Sequence, residues 1–581
     1  TTTEKFISLI AYINKLPVRF IDSMQFVNSS LAKAVKTLSD LPLTSSVFDG
    51  AIVRAKGIFP YDFATSLEVL ESTLELPPIW DSVSNDEYAL AQVIWTQQNC
   101  NNMLDYMLTY LKLDVFLLAD YFQQFREKAI AYNGLETLNI YGIPGMSWAS
   151  ALMTLTELIE LLQDMEMFNF YEGGIRGGLT FVNKHYVASS EDTELLYIDI
   201  NNLYGWALSQ NLPYADFEWV YDDLDSVLYE CKNADIDNLP YGYTMEVDID
   251  IPDCVHDYLN DFPIAPEKMC PPDSKVEKLM LTHWPKKNHV LHWRLLKLYI
   301  ELGAVIKNVH RAIKFKHAPI FKEYISTNTN LRSNSTCELH RDLYKLFNNS
   351  LYGKSVENLK KRMNLRLCNS AEKMIVYASK PTFKKSIKID DDLIAAHLNK
   401  DSICLDRPSY IGQSVLDLSK LRMYQLQYIE LAKYRNEFKC EINIVAGDTD
   451  SFFLEVRHCK LDTLLPAMIR DNLLDTSNYD PAHPLYSRNL DSVIGKFKDE
   501  SKGLGYKEWV FLRPKCYSLL EAKDHLKAKG VRLIGTEISH DSYLECYNNN
   551  VVFSVPQSRI GTRNHQLYTF KNNKIALSNN D

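Results

Sequence analysis

The stretch EINIVAGDTDSFFLEV (residues 441–456) places two short apolar runs on either side of an acidic turn. Such runs, separated by turn residues, predict two strands over residues 442–445 and 452–456 that are joined by a tight hairpin turn. Asp448 and Asp450 lie in that turn. Taken alone, Asp-Thr-Asp fits ordinary turn chemistry, a weak calcium loop or a magnesium site, so the rest of the sequence must distinguish these alternatives.

A second acidic strand end lies earlier in the chain. Residues 194–200 (ELLYIDI) are short and apolar, which predicts a buried strand that carries Asp199 near its end, followed by a helix over residues 203–208. If this strand and the hairpin are neighbours in one sheet, the carboxylates of Asp199, Asp448 and Asp450 converge and repel each other. Two Mg²⁺ ions would neutralise them and support an in-line phosphoryl transfer.

A cationic segment, HRDLYKLFNNSLYGKSVEN (residues 340–358), lies between the two acidic strands. Four of its side chains recur at helical spacing and are predicted to share one face: Arg341, Lys345, either Asn348 or Asn349, and Tyr352. Two cations, an amide and a ring in this order suit a triphosphate and a base. Gly353, which has no side chain, permits close approach of another base or of a backbone. Viewed alone, the segment also fits a surface helix with a buried tyrosine.

Length and composition limit the class of protein. The 581 residues, of which 46% are hydrophobic and 12% aromatic, predict an ordered chain with several packed units. No apolar run approaches the length of a membrane span and no secretory signal is visible, so a soluble, intracellular protein without a membrane partner is expected. The eleven cysteines are scattered without a Cys-x-x-Cys pattern, which favours a reducing compartment.

Charge is segregated along the chain. Residues 222–261 contain twelve Asp or Glu and one Lys, whereas residues 286–316 contain eight Lys or Arg and one Glu. A second basic segment, residues 341–366, has seven Lys or Arg and two acidic residues. Six aromatic residues are interleaved with the basic ones: Trp293, Tyr299, Phe315, Tyr344, Phe347 and Tyr352. The two segments fit either a phosphate-binding groove with stacking rings or ordinary solvated helix faces.

The remaining periodicity predicts an α+β or α/β multi-domain architecture. Helices are expected over residues 102–130, 294–316 and 338–361, and a strand pair over residues 509–512 and 516–520. Paired glycines indicate a domain boundary between residues 165 and 180.

Four segments resemble, in order, motifs A, B and C and the Lys-x-Tyr motif of family B DNA polymerases. They are YIDINNLYGWAL (residues 197–208), KLFNNSLYGKS (345–355), GDTDSF (447–452) and RPKCYSL (513–519). IRGGLTF (175–181) and AKGVRLIGTE (528–537) are similar to segments of the protein-primed subgroup, which occurs in viruses, linear plasmids and polinton-like mobile elements. The resemblance implies a right-hand polymerase fold with palm, fingers and thumb and a partial ribonuclease H-like exonuclease domain.

The resemblance also implies an order of domains. They are a partial 3′–5′ exonuclease domain (1–170), palm (171–217), an insertion related to priming and strand displacement (218–290), fingers (291–366), a second insertion (367–419), palm again (420–535) and thumb (536–581).

The implied activity is template-directed addition of deoxynucleotides to a 3′-hydroxyl. Its implied partners are a DNA template and primer, deoxynucleoside triphosphates and a terminal priming protein, and its cofactor is a pair of Mg²⁺ ions, with Mn²⁺ as an alternative. By the same resemblance, Asp199 and Asp450 are the main catalytic metal ligands and Asp448 supports them. Tyr204 would exclude a 2′-hydroxyl.

Further roles follow from the same motifs. Arg341 and Lys345 would hold the triphosphate, Asn349 and Tyr352 would frame the base pair, and Gly353 would leave room for the template. Six residues would contact the primer or DNA: Lys515, Tyr517, Lys529, Arg176, Gly177 and Gly178.

The exonuclease half is less complete. Tyr110 and Asp114, in YLKLD, resemble the third exonuclease motif of the family, but no Asp-x-Glu precedes Tyr110. The chain is therefore expected to begin inside the exonuclease domain and to lack proofreading.

Three positions depart from the family pattern. Gly205, Ala446 and Ile175 stand where the family usually has proline, tyrosine and tyrosine, which leaves the contacts for initiation open. An alternative is a catalytically inactive, DNA-binding relic of an integrated viral or mobile-element polymerase. An RNA polymerase or a reverse transcriptase is a weaker alternative, and Tyr204 argues against the former.

Overall fold

The computed structural model describes residues 7–27, 29–38, 40–50, 52, 56–61, 63–77, 83–233, 235, 239–272, 274–521, 524–533, 535–563 and 566–579. They form two compact units. The small unit comprises residues 6–153 and 328–350, and the large unit comprises residues 154–327 and 351–581.

The described helices, in chain order, are α1 (Leu31–Lys36), α2 (Pro42–Ser45), α3 (Leu67–Ser72), α4 (Asn85–Gln97), α5 (Met103–Asn133), α6 (Ile143–Met153), α7 (Met165–Gly174), α8 (Leu203–Leu208), α9 (Leu224–Asn233), α10 (His256–Leu259), α11 (Trp293–Glu301), α12 (Lys322–Asn334), α13 (Glu338–Ser355), α14 (Ala371–Ala378), α15 (Ser409–Gln425), α16 (Leu431–Phe438), α17 (Leu461–Arg470) and α18 (His540–Asn549). Among the residues that the structure describes, no helix is long and apolar enough to cross a membrane.

The described strands are β1 (Ser8–Ile13), β2 (Leu16–Ile21), β3 (Thr180–Val182), β4 (Tyr186–Ala188), β5 (Thr193–Ile200), β6 (Leu212–Val220), β7 (Tyr241–Asp250), β8 (Glu267–Met269), β9 (Lys278–Met280), β10 (Lys286–His292), β11 (Val305–Ala318), β12 (Asn364–Cys368), β13 (Phe383–Asp390), β14 (Leu393–Leu398), β15 (Glu441–Asp448), β16 (Ser451–Arg457), β17 (Leu474–Asp475), β18 (Phe497–Asp499), β19 (Glu508–Arg513), β20 (Cys516–Leu520), β21 (His525–Ala528), β22 (Phe553–Arg563) and β23 (Gln566–Leu577).

The small unit is built around α5, a helix of 31 residues. Asn102 caps its first turn by accepting a hydrogen bond from the Asp105 amide, and Gly134 ends it in the left-handed conformation. α1, α2 and α3 pack against it. Its buried Asp120 accepts hydrogen bonds from the backbone and hydroxyl of Thr44 and thereby ties α2 to α5.

A six-stranded sheet in the order β17-β18-β5-β16-β15-β3 organises the large unit. The hairpin predicted from residues 441–456 is present as β15 and β16. β5 pairs antiparallel with β16, and its register places Asp199 opposite Ser451. The two acidic strand ends therefore meet in one sheet. A second sheet, β21-β20-β19-β4, contains the predicted strand pair near residue 515.

A third sheet, β10-β7-β11-β6, shows that one helix prediction was wrong. Residues 305–316, predicted as helix, form most of the strand β11, and only α11 before it is helical. β7, from the acidic segment, lies between the basic strands β10 and β11. Three ion pairs cross these strands: Lys287 with Asp248 at 2.8 Å, Lys307 with Asp250 at 3.3 Å and Arg311 with Glu246 at 2.6 Å.

These contacts contradict the phosphate-groove alternative for residues 286–316. Trp293, Tyr299 and Phe315 are completely buried and cannot stack on bases. The acidic and basic segments neutralise one another across the sheet, which a charge count along the sequence does not show.

Several predicted domain boundaries fall inside single elements. The boundary at 217/218 lies within β6, that at 290/291 within β10, that at 366/367 within β12 and that at 419/420 within α15. Residues 409–424 of α15 are buried. A three-stranded sheet in the order β12-β14-β13 includes β13 and β14 of the second insertion and begins before its predicted start.

Candidate active site

The Asp-Thr-Asp turn is held by main-chain hydrogen bonds. The Asp450 amide donates to the Asp448 carbonyl at 2.8 Å, and the Ile200 amide donates to the Asp450 carbonyl at 2.8 Å. Thr449 adopts a left-handed φ of 66°, an unfavourable conformation for a β-branched residue. The second bond joins the turn to the end of β5, so Asp199, near the end of that strand, and Asp450, in the turn, lie close together.

The electrostatics of this strand end favour binding of a cation. Burial raises the pKa of Asp199 to about 8, and the charges of Asp450, Glu500 and Asp448 add to the effect. Burial also raises the pKa of Asp450, helped by the neighbouring Asp448. Half-buried carboxylates of like charge, with oxygen donors, fit a hard divalent cation.

Asp448 has different neighbours. Its Oδ1 lies 2.8 Å from Lys515 Nζ, at an angle that makes no hydrogen bond, and its Oδ2 accepts a hydrogen bond from Lys527 Nζ at 3.3 Å. Lys527 Nζ also donates to the Tyr517 hydroxyl at 3.2 Å. Within the described residues, no three Asp, Glu, His or Cys side chains form a ready metal cluster. Asp199 and Asp450 remain the predicted main metal ligands, and Asp448 lies beside two lysines.

Two tyrosines from distant motifs form a stack in the large unit. The Tyr204 and Tyr352 rings are 4.6 Å apart between centroids and tilted by only 8°. Burial raises the pKa of Tyr204, and the charge of Asp450 contributes. The aromatic pair thus adjoins the acidic strand end.

The predicted phosphate-binding face lies on α13, mostly in the small unit. Arg341, Lys345 and Asn349 are exposed along one side of this helix, whereas Asn348 is buried and accepts a hydrogen bond from the Asn328 amide. Gly353 follows on the same helix and has open space where a side chain would be. These residues remain predicted nucleotide contacts.

The segment IRGGLTF (residues 175–181), here called the linker, contains residues with different surroundings. The Arg176 guanidinium donates to the Val290 carbonyl at 2.7 Å and so points into the unit, while Gly177 is exposed. Gly178 lies against the Asp-Thr-Asp turn, because a Cβ there would come 2.5 Å from Thr449 Cγ2.

One lysine of the site was not identified from the sequence. Lys529, the residue taken from the AKGV segment, is exposed, whereas Lys527 reaches Asp448 and Tyr517. The signal for Lys527 is strand register, since β20 and β21 pair Tyr517 directly with Lys527.

The exonuclease-like residues form a separate cluster in the small unit. The Tyr110 hydroxyl lies 3.0 Å from that of Tyr61, and Asp114 lies 3.6 Å from Lys56 Nζ. Burial raises the pKa of Asp114, and the charge of Lys56 opposes the rise. Lys56 and Tyr61 were not identified from the sequence, because about fifty residues separate them from YLKLD and no local motif marks them.

Comparison with known families and structures gives consistent matches. The family model described as DNA polymerase type B, organellar and viral, matches residues 1–428. No curated protein sequence matches the chain. Phi29 DNA polymerase complexed with primer-template DNA and incoming nucleotide substrates is 15% identical with a TM-score of 0.56.

Two other structures of that polymerase also match. Its orthorhombic crystal form is 16% identical with a TM-score of 0.54, and its post-translocation complex with primer-template DNA is 16% identical with a TM-score of 0.53. Each alignment covers 98% of this chain and 82% of the other. The predicted α+β multi-domain polymerase fold is confirmed.

Proposed function

Because the chain belongs to the organellar and viral family of type B DNA polymerases, we propose that it adds deoxynucleotides to a primer 3′-hydroxyl under the direction of a DNA template. The observation that carries the proposal is the juxtaposition of Asp199, near the end of β5, and Asp450, in the adjoining turn, both half-buried and with raised pKa values. Two unneutralised carboxylates are costly in a structural core and useful in a phosphoryl-transfer site.

The carboxylates of Asp199 and Asp450 would hold two Mg²⁺ ions, or Mn²⁺ in their place. Bound there, the metals would activate the attacking hydroxyl and neutralise charge on the phosphates. The main-chain bonds of the turn keep the two carboxylates in place before substrate arrives, which spares reorganisation during the reaction.

Lysines beside Asp448 suit the primer end. Lys515 and Lys527 neutralise Asp448, and Lys527 donates to the Tyr517 hydroxyl. We propose that these cations also attract the terminal phosphates of the primer, while Tyr517 supports the sugar that carries the 3′-hydroxyl.

Nucleotide selection is assigned to the aromatic stack. Tyr204 is fixed by its contact with Tyr352, so its ring cannot move aside easily to admit a 2′-hydroxyl. Arg341, Lys345 and Asn349 present exposed donors that suit a triphosphate and a base.

The proposed substrates are a primer-template DNA and deoxynucleoside triphosphates, as in the complexes of phi29 DNA polymerase. A protein hydroxyl is proposed as an alternative primer, because the linker segment resembles that of the protein-primed subgroup. Labelled deoxynucleotide should then become attached to a partner protein, and protease but not nuclease should release it.

The test of polymerase activity uses the purified chain with primed template, Mg²⁺ and deoxynucleotides. We expect extension that chelation abolishes and that Asp450→Asn lowers by more than about a thousandfold. DNA binding measured in parallel should be retained by the variant. Binding without any extension by the wild type would contradict the proposal and favour the inactive relic.

We further propose that this polypeptide does not proofread. In the part of the chain that the structure describes, Asp114 is paired with Lys56 rather than with a second carboxylate. Metal-dependent degradation of single-stranded DNA that disappears in Asp114→Ala would refute this proposal.

A further inference from the structure

The linker segment forms main-chain hydrogen bonds with the turn that carries Asp448 and Asp450. The Thr449 amide donates to the Leu179 carbonyl at 2.7 Å, and β3 continues the contact by pairing with β15. Gly178 lies so close to the Thr449 side chain that any Cβ would collide with it. The left-handed Thr449 is therefore held by main-chain contacts from the linker.

The linker is in turn anchored by a buried charge on α15. Lys420 Nζ donates to the Arg176 carbonyl at 2.9 Å and to the Leu416 carbonyl at 3.2 Å. Asp417 lies 4.0 Å from the same ammonium group, and both side chains are at most 5% exposed. In the described part of α15, Asp417 is the one acidic residue within a helical turn of Lys420.

Asp417 has its own supports. Its Oδ2 accepts hydrogen bonds from the His292 amide at 2.9 Å and from Gln413 Nε2 at 2.5 Å. Burial raises the pKa of Asp417 and lowers that of Lys420 to about 8. Each charge is unfavourable in this interior without the other, so the pair fixes the position of both groups.

The three segments meet at one place in the large unit. Gly178, Lys420 and Thr449 line the same small cavity of about 20 Å³. A shift of the Arg176 carbonyl would therefore displace the main chain of Gly177 and Gly178, and through it the turn, because little free space is left there to absorb the displacement.

We propose that Asp417 and Lys420 are positioning residues that fix Asp448 and Asp450 through the main chain of Arg176–Leu179. They need not touch DNA, nucleotide or metal. The proposal rests on the proposed polymerase function, since it gives Asp450 its catalytic role, but the geometry of the turn can be measured without activity.

The first test replaces the ammonium group while keeping an apolar stem, in Lys420→Met. The control is Lys286→Met, which removes another buried ammonium of the large unit, one that donates to Glu267 at 2.7 Å and to the Thr282 hydroxyl rather than to the main chain of the linker. Hydrogen–deuterium exchange of the peptide over residues 447–452 reports the Thr449 amide. Single-turnover primer extension separates the maximal rate from the half-saturating deoxynucleotide concentration.

We expect Lys420→Met to accelerate exchange of that peptide about tenfold and to lower the maximal rate about ten- to a hundredfold, because small misplacements of reacting groups are costly. Half-saturating nucleotide and primer-template affinity should change less than about threefold, as expected when binding groups are left intact. Lys286→Met should leave the exchange and the maximal rate within about twofold of the wild type.

Unchanged exchange of residues 447–452 in Lys420→Met would overturn the proposal, as would an equal acceleration in Lys286→Met. If Lys420→Met does not fold, Lys420→Gln, which keeps a donor, should show intermediate exchange, and wild-type exchange in that variant would contradict the proposal. A wild type without extension would refute the proposed function, while the exchange comparison would still decide the positioning role.

Discussion

Two half-buried carboxylate clusters in this chain differ in the charged groups that lie beside the carboxylate. In the large unit, Asp199 is close to Asp450 and Asp448, whose charges raise its pKa further than burial alone. In the small unit, Asp114 lies 3.6 Å from Lys56, whose charge lowers its pKa against the effect of burial. The first cluster places Asp199 and Asp450 side by side while its lysines pair with Asp448, whereas the second pairs its one carboxylate, Asp114, with a lysine.

This difference determines what each cluster needs from solution. Carboxylates that repel one another are stabilised by a cation from outside, and divalent ions with oxygen preference are the natural choice. A carboxylate that already has an ammonium group nearby gains less from such an ion, because metal and lysine compete for the same charge. We therefore expect metal-dependent chemistry at the first cluster and not at the second.

The comparison is tested most strongly by neutralising one carboxylate in each cluster. Asp199→Asn should lower primer extension by more than about a thousandfold, because a main metal ligand is lost. Asp114→Asn changes the same atoms in the small unit and should leave extension within about twofold. Single-turnover extension of a labelled primer measures both. Equal losses in the two variants would show that the clusters do not differ as proposed.

Metal binding itself should separate the two clusters. At a Mg²⁺ concentration of about a hundred times its dissociation constant, binding to the folded state adds about 2.7 kcal/mol to its stability. We expect scanning calorimetry with and without chelator to show this gain in the wild type and in Asp114→Asn. Asp199→Asn should lose most of it. A Mg²⁺ response that depends on Asp114 instead would reverse the comparison.

The parts of this site that the sequence predicted are those defined by short-range pattern. The hairpin around Asp448 and Asp450 follows from two apolar runs and a polar turn, and the strand of Asp199 from an equally short run.

β11 was misassigned for a physical reason. Its pairing with β7 is interrupted by register shifts between residues 306 and 308 and between 309 and 311. Each bulge adds a residue, so the apolar side chains recur at a spacing that imitates a helix.

The partners that the sequence did not predict are joined only by tertiary structure. Lys56 meets Asp114 and Lys527 meets Asp448 across long stretches of chain. From the sequence, the basic segment around Arg311 fits either a phosphate-binding groove or a solvated helix face, whereas in the structure it pairs with acidic residues of β7. Charge along a sequence cannot distinguish a solvated face from an ion-paired sheet, because the counter-ions lie elsewhere in the chain.

Removal of an aromatic ring near each carboxylate cluster, Tyr204 in the large unit and Tyr110 in the small unit, should affect ribonucleotide discrimination differently. Tyr204→Ala removes a ring stacked on Tyr352 and would open space where the sugar of the incoming nucleotide is proposed to lie. Discrimination against ribonucleotides should fall about ten- to a hundredfold. Tyr110→Ala removes a ring that contacts Tyr61 in the small unit and should leave discrimination unchanged. Competition between ribo- and deoxynucleotides on one primer measures both. If Tyr204→Ala discriminates against ribonucleotides as strongly as the wild type does, Tyr204 does not exclude the 2′-hydroxyl.

The smallest expected effect concerns the lysines. Lys527→Ala removes a half-exposed ammonium group that contacts Asp448 and Tyr517, so extension should fall about three- to fivefold. Lys529→Ala removes an exposed lysine two residues away, and Lys56→Ala removes the counter-ion of Asp114; neither should slow extension by more than about twofold.

The dependence of primer-template affinity on salt then distinguishes two roles for Lys527. If its ammonium group contacts a primer phosphate, Lys527→Ala should reduce the slope of log affinity against log salt by about one, because one fewer counter-ion is released on binding. If it only holds Asp448, the slope should stay the same and the Mg²⁺ concentration for half-maximal extension should change instead. We expect the reduced slope, since the Nζ of Lys527 lies at the Tyr517 hydroxyl, where the primer end is proposed to sit. A wild-type slope in Lys527→Ala would confine this lysine to the support of Asp448.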